Sequence, residues 1–182
     1  MMMKHLSVLL IAATSAPLAA QTPPPPPPAE AKSSATAYVA AAGMSDLYEI
    51  NSSQIAVQKS QSPAVRKFAT MLIKHHQKTT AATIAAAKKA GLTPAPPALD
   101  AGATASINEL QTASAADFDR LYLGQQVPAH QAALDLHQSY ADGGDQAPLR
   151  ASAKAAVPIV KQHLNAAMKM NTGKPMGTMS GM

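Results

Sequence analysis

The sequence contains no cysteine, and its aromatic residues are few. Without thiols the chain has no disulfide, no thiolate metal site and no cysteine nucleophile. Only four tyrosines and two phenylalanines occur in 182 residues, and tryptophan is missing. Because these aromatic side chains are too few to stack on a series of bases, we do not expect nucleic-acid binding. The formal net charge of +5 favours anionic surfaces such as envelope polymers without selecting one of them.

Long apolar runs are missing as well. Residues 6–13 form a short apolar stretch after Lys4 and His5, and small residues follow up to Ala20. This order is typical of a secretory signal peptide, and the stretch is too short to span a membrane. We therefore expect residues 1–20 to be a signal peptide, with no stable membrane span after cleavage. The mature protein is expected in the periplasm or secreted.

The remaining chain divides by composition into three segments. Six consecutive prolines at 23–28 predict a polyproline II spacer over residues 21–34. Helical patterns then fill a domain over residues 35–171, and a Met- and Gly-rich flexible tail covers residues 172–182.

Apolar periodicity predicts four long helices in this domain and gives no strand pattern. The first covers 35–60 and the second 63–90, with Ser62-Pro63 as its start and Gly91 as its stop. A short helix follows at 103–112. Ser114 and Asp117 resemble a capping box before the third long helix, and the fourth covers 146–170. Short connections between long helices predict an all-α fold, an antiparallel four-helix bundle of ferritin-like type.

Three histidines on three predicted helices are candidate metal ligands. His76, His130 and His163 lie within or beside the apolar faces of their helices. A histidine that faces a bundle interior needs a partner, and three at one level would form a metal site. Imidazole suits copper, zinc or iron, so the cofactor would be a transition metal ion. The alternative is that each histidine is a hydrogen-bonded core residue.

Glu49 is the candidate carboxylate ligand on the first helix. It lies away from the apolar stripe of Leu47, Ile50 and Val57, on a face of small residues that is either a close helix contact or solvent-exposed. Ferritin-like di-iron sites use Glu-x-x-His on two helices. The residues three before His76 and His163 are not glutamate, which argues against a di-iron enzyme.

The C-terminal tail offers a second candidate metal site. Met176, Met179 and Met182 repeat every third residue, and thioether sulfur prefers Cu(I). The alternative is a flexible tail with chance methionines. No phosphate-binding loop, G-x-S-x-G or H-E-x-x-H motif is present. The sequence therefore does not decide whether the protein is an enzyme, but it favours a non-enzymatic role.

A set of motifs lies at residues 38–50, 62–69 leading to His76, 118–122, 129–130 including His130, and 157–164 including His163. Together these segments resemble a bacterial family of exported proteins, the domain-of-unknown-function family numbered 4142. The resemblance covers residues 37–170 and implies a ferritin-like bundle in the envelope without an established activity. It also implies an Asp-His pair where this chain has His75-His76. We therefore expect a periplasmic, non-enzymatic bundle protein of unknown biochemical role, linked to envelope stress or to metal exposure. Metal binding is the alternative function.

Overall fold

The computed structural model describes residues 23–172, and within this range the chain is all-α. Five α-helices follow a short 3₁₀ helix at Ala29–Lys32, and no strand occurs in the described range. The helices are α1 (Ala35–Lys59), α2 (Pro63–Lys89), α3 (Ala101–Thr112), α4 (Phe118–Gly143) and α5 (Ala147–Asn171). The predicted tail site of Met176, Met179 and Met182, and the predicted signal peptide, lie outside the described residues.

The four long helices contact one another in a closed order. Helix α1 packs against α2, α2 against α5, α5 against α4, and α4 against α1. The short helix α3 lies against α1 and α4. No helix in the range 23–172 is both long and apolar enough to cross a membrane.

Local sequence signals explain most of the helix ends. Ser62 precedes Pro63 and its hydroxyl accepts a hydrogen bond from the Val65 backbone N–H at 3.4 Å. Helix α2 ends where Gly91 adopts a φ of 76°, and the Leu92 N–H donates to the Ala87 carbonyl. This is a Schellman motif, which needs a residue in the left-handed region.

The start of α4 differs from the predicted capping box. The Asp117 backbone N–H donates to the Ser114 hydroxyl, as predicted, but Ser114 donates its own proton to the Asp117 carboxylate. The two residues therefore form a turn, and the helix begins after it at Phe118.

The core compensates for its many alanines with the few large side chains available. All four tyrosines and both phenylalanines are at most 3% exposed. They fill volume that alanine leaves open between closely spaced helices. The polyproline segment also contacts this core, because Pro25 lies directly over α3. A Cβ atom at Gly102 would come within 2.6 Å of the Pro25 ring, so a side chain there would displace the segment.

The orientation of α1 corrects the interpretation of its apolar stripe. Val57 is 37% exposed, and Leu47 and Ile50 are only partly buried. The opposite face is buried instead, and it carries Glu49 at 1% exposure. Small residues on that face let α1 approach its neighbours closely, and this outweighs the burial of the larger aliphatic side chains.

Candidate metal centre

Three histidines from three helices meet in the interior. His76 comes from α2, His130 from α4 and His163 from α5, and each is at most 3% exposed. Each residue offers one ring nitrogen, and these atoms lie within 4.8 Å of one another. The three ring centroids are 5.2 to 5.6 Å apart. The structure therefore brings together the three histidines singled out from the sequence.

Hydrogen bonds occupy one nitrogen of each ring. His76 Nδ1 lies 2.7 Å from Asp46 Oδ1, and His130 Nδ1 donates to the Gln126 carbonyl oxygen at 2.9 Å. His76 Nε2, His130 Nε2 and His163 Nδ1 are buried without a hydrogen-bond partner among the described residues. We take these three nitrogens as the donor atoms of the centre, because the other nitrogen of each ring is engaged.

His163 has a histidine as its hydrogen-bond partner. Its Nε2 lies 2.8 Å from Nδ1 of His75, and the two rings stack with centroids 5.1 Å apart. His75 is partly exposed at the surface of α2. When Nε2 of His163 donates this bond, its Nδ1 keeps a free lone pair towards the centre.

Asp46 holds His76 from the α1 side. Besides His76 its carboxylate accepts hydrogen bonds from the hydroxyls of Thr79 and Thr80, at 2.7 to 3.1 Å. Burial lowers the pKa of His76, but the hydrogen bond and negative charge of Asp46 outweigh it, so the pKa is raised overall. A carboxylate on Nδ1 fixes the tautomer in which Nε2 is the metal-binding atom.

Glu49 lies beside this centre on the same face of α1 as Asp46. Its Oε1 is 3.6 Å from His130 Nδ1, and neither carboxylate oxygen has a hydrogen-bond partner of good geometry within residues 23–172. Burial raises the pKa of Glu49 to about 7, against the lowering influence of His76 and Gln126. Glu49 is not among the residues whose donor atoms lie within 4.8 Å of one another, so it borders the three histidines.

Burial keeps two of the imidazoles neutral, as metal ligands must be. It lowers the pKa of His130 to about 3 and that of His163 to about 2, and nearby histidines lower both further. At neutral pH these rings are therefore free bases, and each unpartnered nitrogen carries a lone pair. Leaving a buried polar atom unpaired costs on the order of 1–3 kcal/mol, so the centre favours a ligand that accepts these lone pairs.

Two residues of the site were missed by sequence reasoning. One is Asp46, which precedes Glu49 by about one helical turn. Two acidic residues at that spacing on a face of small residues were the signal that could have identified it. His75 was noted only as a departure from the expected Asp-His pair. His137, one heptad from His130, is buried but bonds to the Tyr38 hydroxyl at 2.9 Å and is not in the three-histidine group.

Comparisons with known proteins agree with this architecture. The model of a family described as domain of unknown function, DUF4142, matches residues 20–170. No curated protein is similar enough in sequence to match the chain.

Solved structures with similar folds include CopM in the Cu(I)-bound form, with a TM-score of 0.65 and 16% identity over 77% of this chain and 96% of that one. CopM in the Cu(II)-bound form gives a TM-score of 0.65 at 14% identity, covering 77% of this chain and 97% of that one. A DUF305 fragment from Deinococcus radiodurans gives a TM-score of 0.66 at 15% identity, covering 82% and 99%. At such identities the likeness concerns the fold alone.

Proposed function

This chain belongs to the DUF4142 family, and we propose that the protein binds one transition metal ion through His76, His130 and His163. The observation that carries the proposal is the set of three buried imidazole nitrogens without a hydrogen-bond partner in the described part of the chain. A metal ion would accept a lone pair from each ring, and it would displace the proton that the raised pKa of His76 favours. The second nitrogen of each ring is already bonded, as is usual for metal-binding histidines.

Copper is the first ion to test. Imidazole nitrogens suit copper, zinc, iron and nickel, and Cu²⁺ is the divalent ion that such donors bind most strongly. CopM, which has a similar fold, was solved with Cu(I), silver and Cu(II). Asp46 supplies one negative charge behind His76, and Glu49 offers a second next to His130. These two carboxylates would offset the charge of a buried cation.

The wider assignment follows from the same elements. We classify the four long helices as a ferritin-like antiparallel bundle, in which facing helices supply the ligands. We also retain export to the periplasm, after removal of residues 1–20, as part of the proposal. Met176, Met179 and Met182 would form a separate Cu(I) site in the tail, because thioethers are soft ligands.

The test compares two buried histidines of one helix. We expect the purified full chain and a variant ending before Gly173 each to retain one ion per chain at the interior centre, measured by metal analysis and copper titration. His130→Gln should lower the affinity of that centre by more than about 100-fold, whereas the matched control His137→Gln should leave it unchanged.

The outcomes separate the interior centre from the tail. Binding that survives His130→Gln but disappears when the tail is removed would assign the metal to the methionines. If the shortened chain binds no ion, the interior proposal fails.

A further inference from the structure

The proposed centre is enclosed, so an incoming ion needs a route from solvent. All three donor residues are at most 3% exposed. His75 is the residue that links them to the surface, because it is partly exposed and contacts His163 directly. The inference below rests on the proposed metal-binding function.

His163 presents its two nitrogens to two different places. Nε2 lies 2.8 Å from His75 Nδ1 near the surface, and Nδ1 is the unpartnered atom near the other two histidines. One ring therefore connects an outer pair of imidazole nitrogens to the inner centre. Its centroid is 5.1 Å from that of His75 and 5.2 Å from that of His76.

We propose that His75 and His163 form an outer two-histidine metal site between α2 and α5, which receives the ion and passes it inward across the His163 ring. In the outer state His163 carries its proton on Nδ1, and Nε2 and His75 Nδ1 bind the ion. In the inner state the proton is on Nε2, and Nδ1 binds the ion with His76 and His130. The ring gains and loses this one proton by exchange with water, so the net charge of His163 does not change.

The geometry requires only a small opening of the outer pair. Two nitrogens bound to one ion at about 2.0–2.1 Å in a tetrahedral arrangement are about 3.3–3.4 Å apart. The observed separation of 2.8 Å must therefore grow by roughly 0.5 Å. His75 can provide this movement, since its side chain is partly exposed and side chains at the surface change rotamer readily.

A cavity on the other side of His76 is a second possible route for the ion, but it approaches the ring nitrogen that is not the proposed donor. A cavity of about 660 Å³ lies between α1, α2 and the loop before α3, and its lining includes Glu30, Asp46 and Asp100. These acidic groups attract cations, but none of the three histidines lines the cavity, and Asp46 is the lining residue that contacts His76. Asp46 occupies Nδ1 of that ring, whereas the proposed donor is Nε2. The contacts therefore favour entry at His75.

The experiment measures uptake rate and affinity separately in the full chain. Because the chain has no tryptophan, tyrosine emission reports Cu²⁺ binding directly, and stopped-flow mixing gives its association rate. Cu²⁺ is also less attracted than Cu(I) to the thioethers of the tail. The variant is His75→Gln, whose side-chain oxygen still accepts the His163 Nε2 proton. The matched control is Gln77→Ala, on the exposed side of the same helix turn.

We expect His75→Gln to slow association by about 10-fold or more, and by more than it weakens the affinity, because glutamine keeps the bond that orients His163. Gln77→Ala and Asp100→Asn should associate at the unaltered rate. Two results would overturn the inference: an unchanged association rate in His75→Gln, whatever its affinity, or slow uptake in Asp100→Asn instead. If the unaltered chain shows no binding that His130→Gln removes, it is the proposed function that has failed.

Discussion

At the scale of single residues, three hydrogen bonds select the atoms that face the centre. Asp46, the Gln126 carbonyl and His75 each bond one nitrogen of a different histidine. Each bond directs the opposite nitrogen towards the centre and fixes the ring orientation. The donor set is therefore preorganised by neighbours that are not ligands of the inner centre.

Glu49 gives the first residue-scale prediction, since its ionisation costs stability in the metal-free protein. Burial raises its pKa from 4.5 to about 7, so the folded state disfavours the carboxylate. At pH 8, Glu49→Gln should raise the free energy of unfolding of metal-free protein by roughly 1–3 kcal/mol. The same variant should weaken copper binding by about 10-fold, because a compensating charge next to the ligands is lost.

Denaturant titration and copper titration of one preparation check both halves of this prediction. At pH 4 the stability difference should disappear, because Glu49 is then protonated in the folded and the unfolded chain alike. A loss of stability of equal size at pH 8 and pH 4 would instead assign Glu49 a purely hydrogen-bonding role.

At this scale, sequence reasoning selected the three histidines that meet in the interior but not their hydrogen-bond partners. His76, His130 and His163 followed from the positions of histidines on apolar helix faces. Asp46 and His75 did not, because a helix face does not reveal which side chain meets a ring across an interface. Glu49 was a candidate on weak grounds, since the small-residue face that buries it was not distinguishable from a solvated one.

At the scale of elements, one lysine fixes the end of α3. Lys59 Nζ donates to the carbonyls of Leu110, Gln111 and Ala113 at 2.6 to 3.1 Å. These carbonyls lie at the C-terminus of a helix, where a cation is stabilising. The end of α1 thereby anchors the short helix to the four long ones.

Lys59→Met should therefore destabilise the protein by about 1–3 kcal/mol, because charged hydrogen bonds are lost while the alkyl chain remains. The midpoint of urea unfolding measures the change. Lys67→Met serves as the control, since Lys67 is exposed on α2, and it should shift stability by less than about 0.5 kcal/mol. Equal effects of the two substitutions would contradict the anchoring role.

Helix ends were predictable where a local rule applied. Ser62-Pro63 and Gly91 act through backbone geometry within a few residues, so the sequence was sufficient. The start of α4 was less predictable, because Ser114 and Asp117 bond to each other before the helix begins. The docking of Lys59 depends on a contact between residues about 50 positions apart, which no local pattern contains.

At the scale of the whole molecule, the buried histidines make stability depend on pH. Burial lowers the pKa of His130, His137 and His163 from 6.5 to between about 2 and about 4. Below pH 6.5 the unfolded chain therefore binds more protons, and stability is lost as the pH falls. Glu49 acts in the opposite direction between pH 4.5 and about 7, and His76, whose pKa is raised, does so above pH 6.5. Below pH 6.5 only Glu49 opposes the three histidines.

Metal-free protein should thus lose roughly 2–3 kcal/mol of unfolding free energy per pH unit between pH 6.5 and 4.5. Denaturant unfolding at several pH values measures this slope. His137→Gln should lower this slope by the contribution of about one proton. It should leave copper binding intact, since Gln can still accept the Tyr38 hydroxyl bond. A free energy of unfolding that stays flat from pH 7 to pH 5 would contradict the burial of these rings.

The all-α fold was predictable from periodicity, because long amphipathic segments of good helix formers leave few other solutions. Which face of α1 is buried was not predictable, because in an Ala-rich helix the distribution of apolar side chains does not mark the buried face. Close approach of small residues decides the packing there, and it depends on all the neighbouring helices at once.

The centre also bears on a chain without cysteine. An ion held by His76, His130 and His163 would tie together three positions that are far apart in sequence, as a pair of disulfides does elsewhere. Closing loops of this length restricts the unfolded chain by about 4 kcal/mol each in the entropic account of crosslinks. Metal binding would then also crosslink the fold reversibly, and this crosslink would form and break without an oxidant.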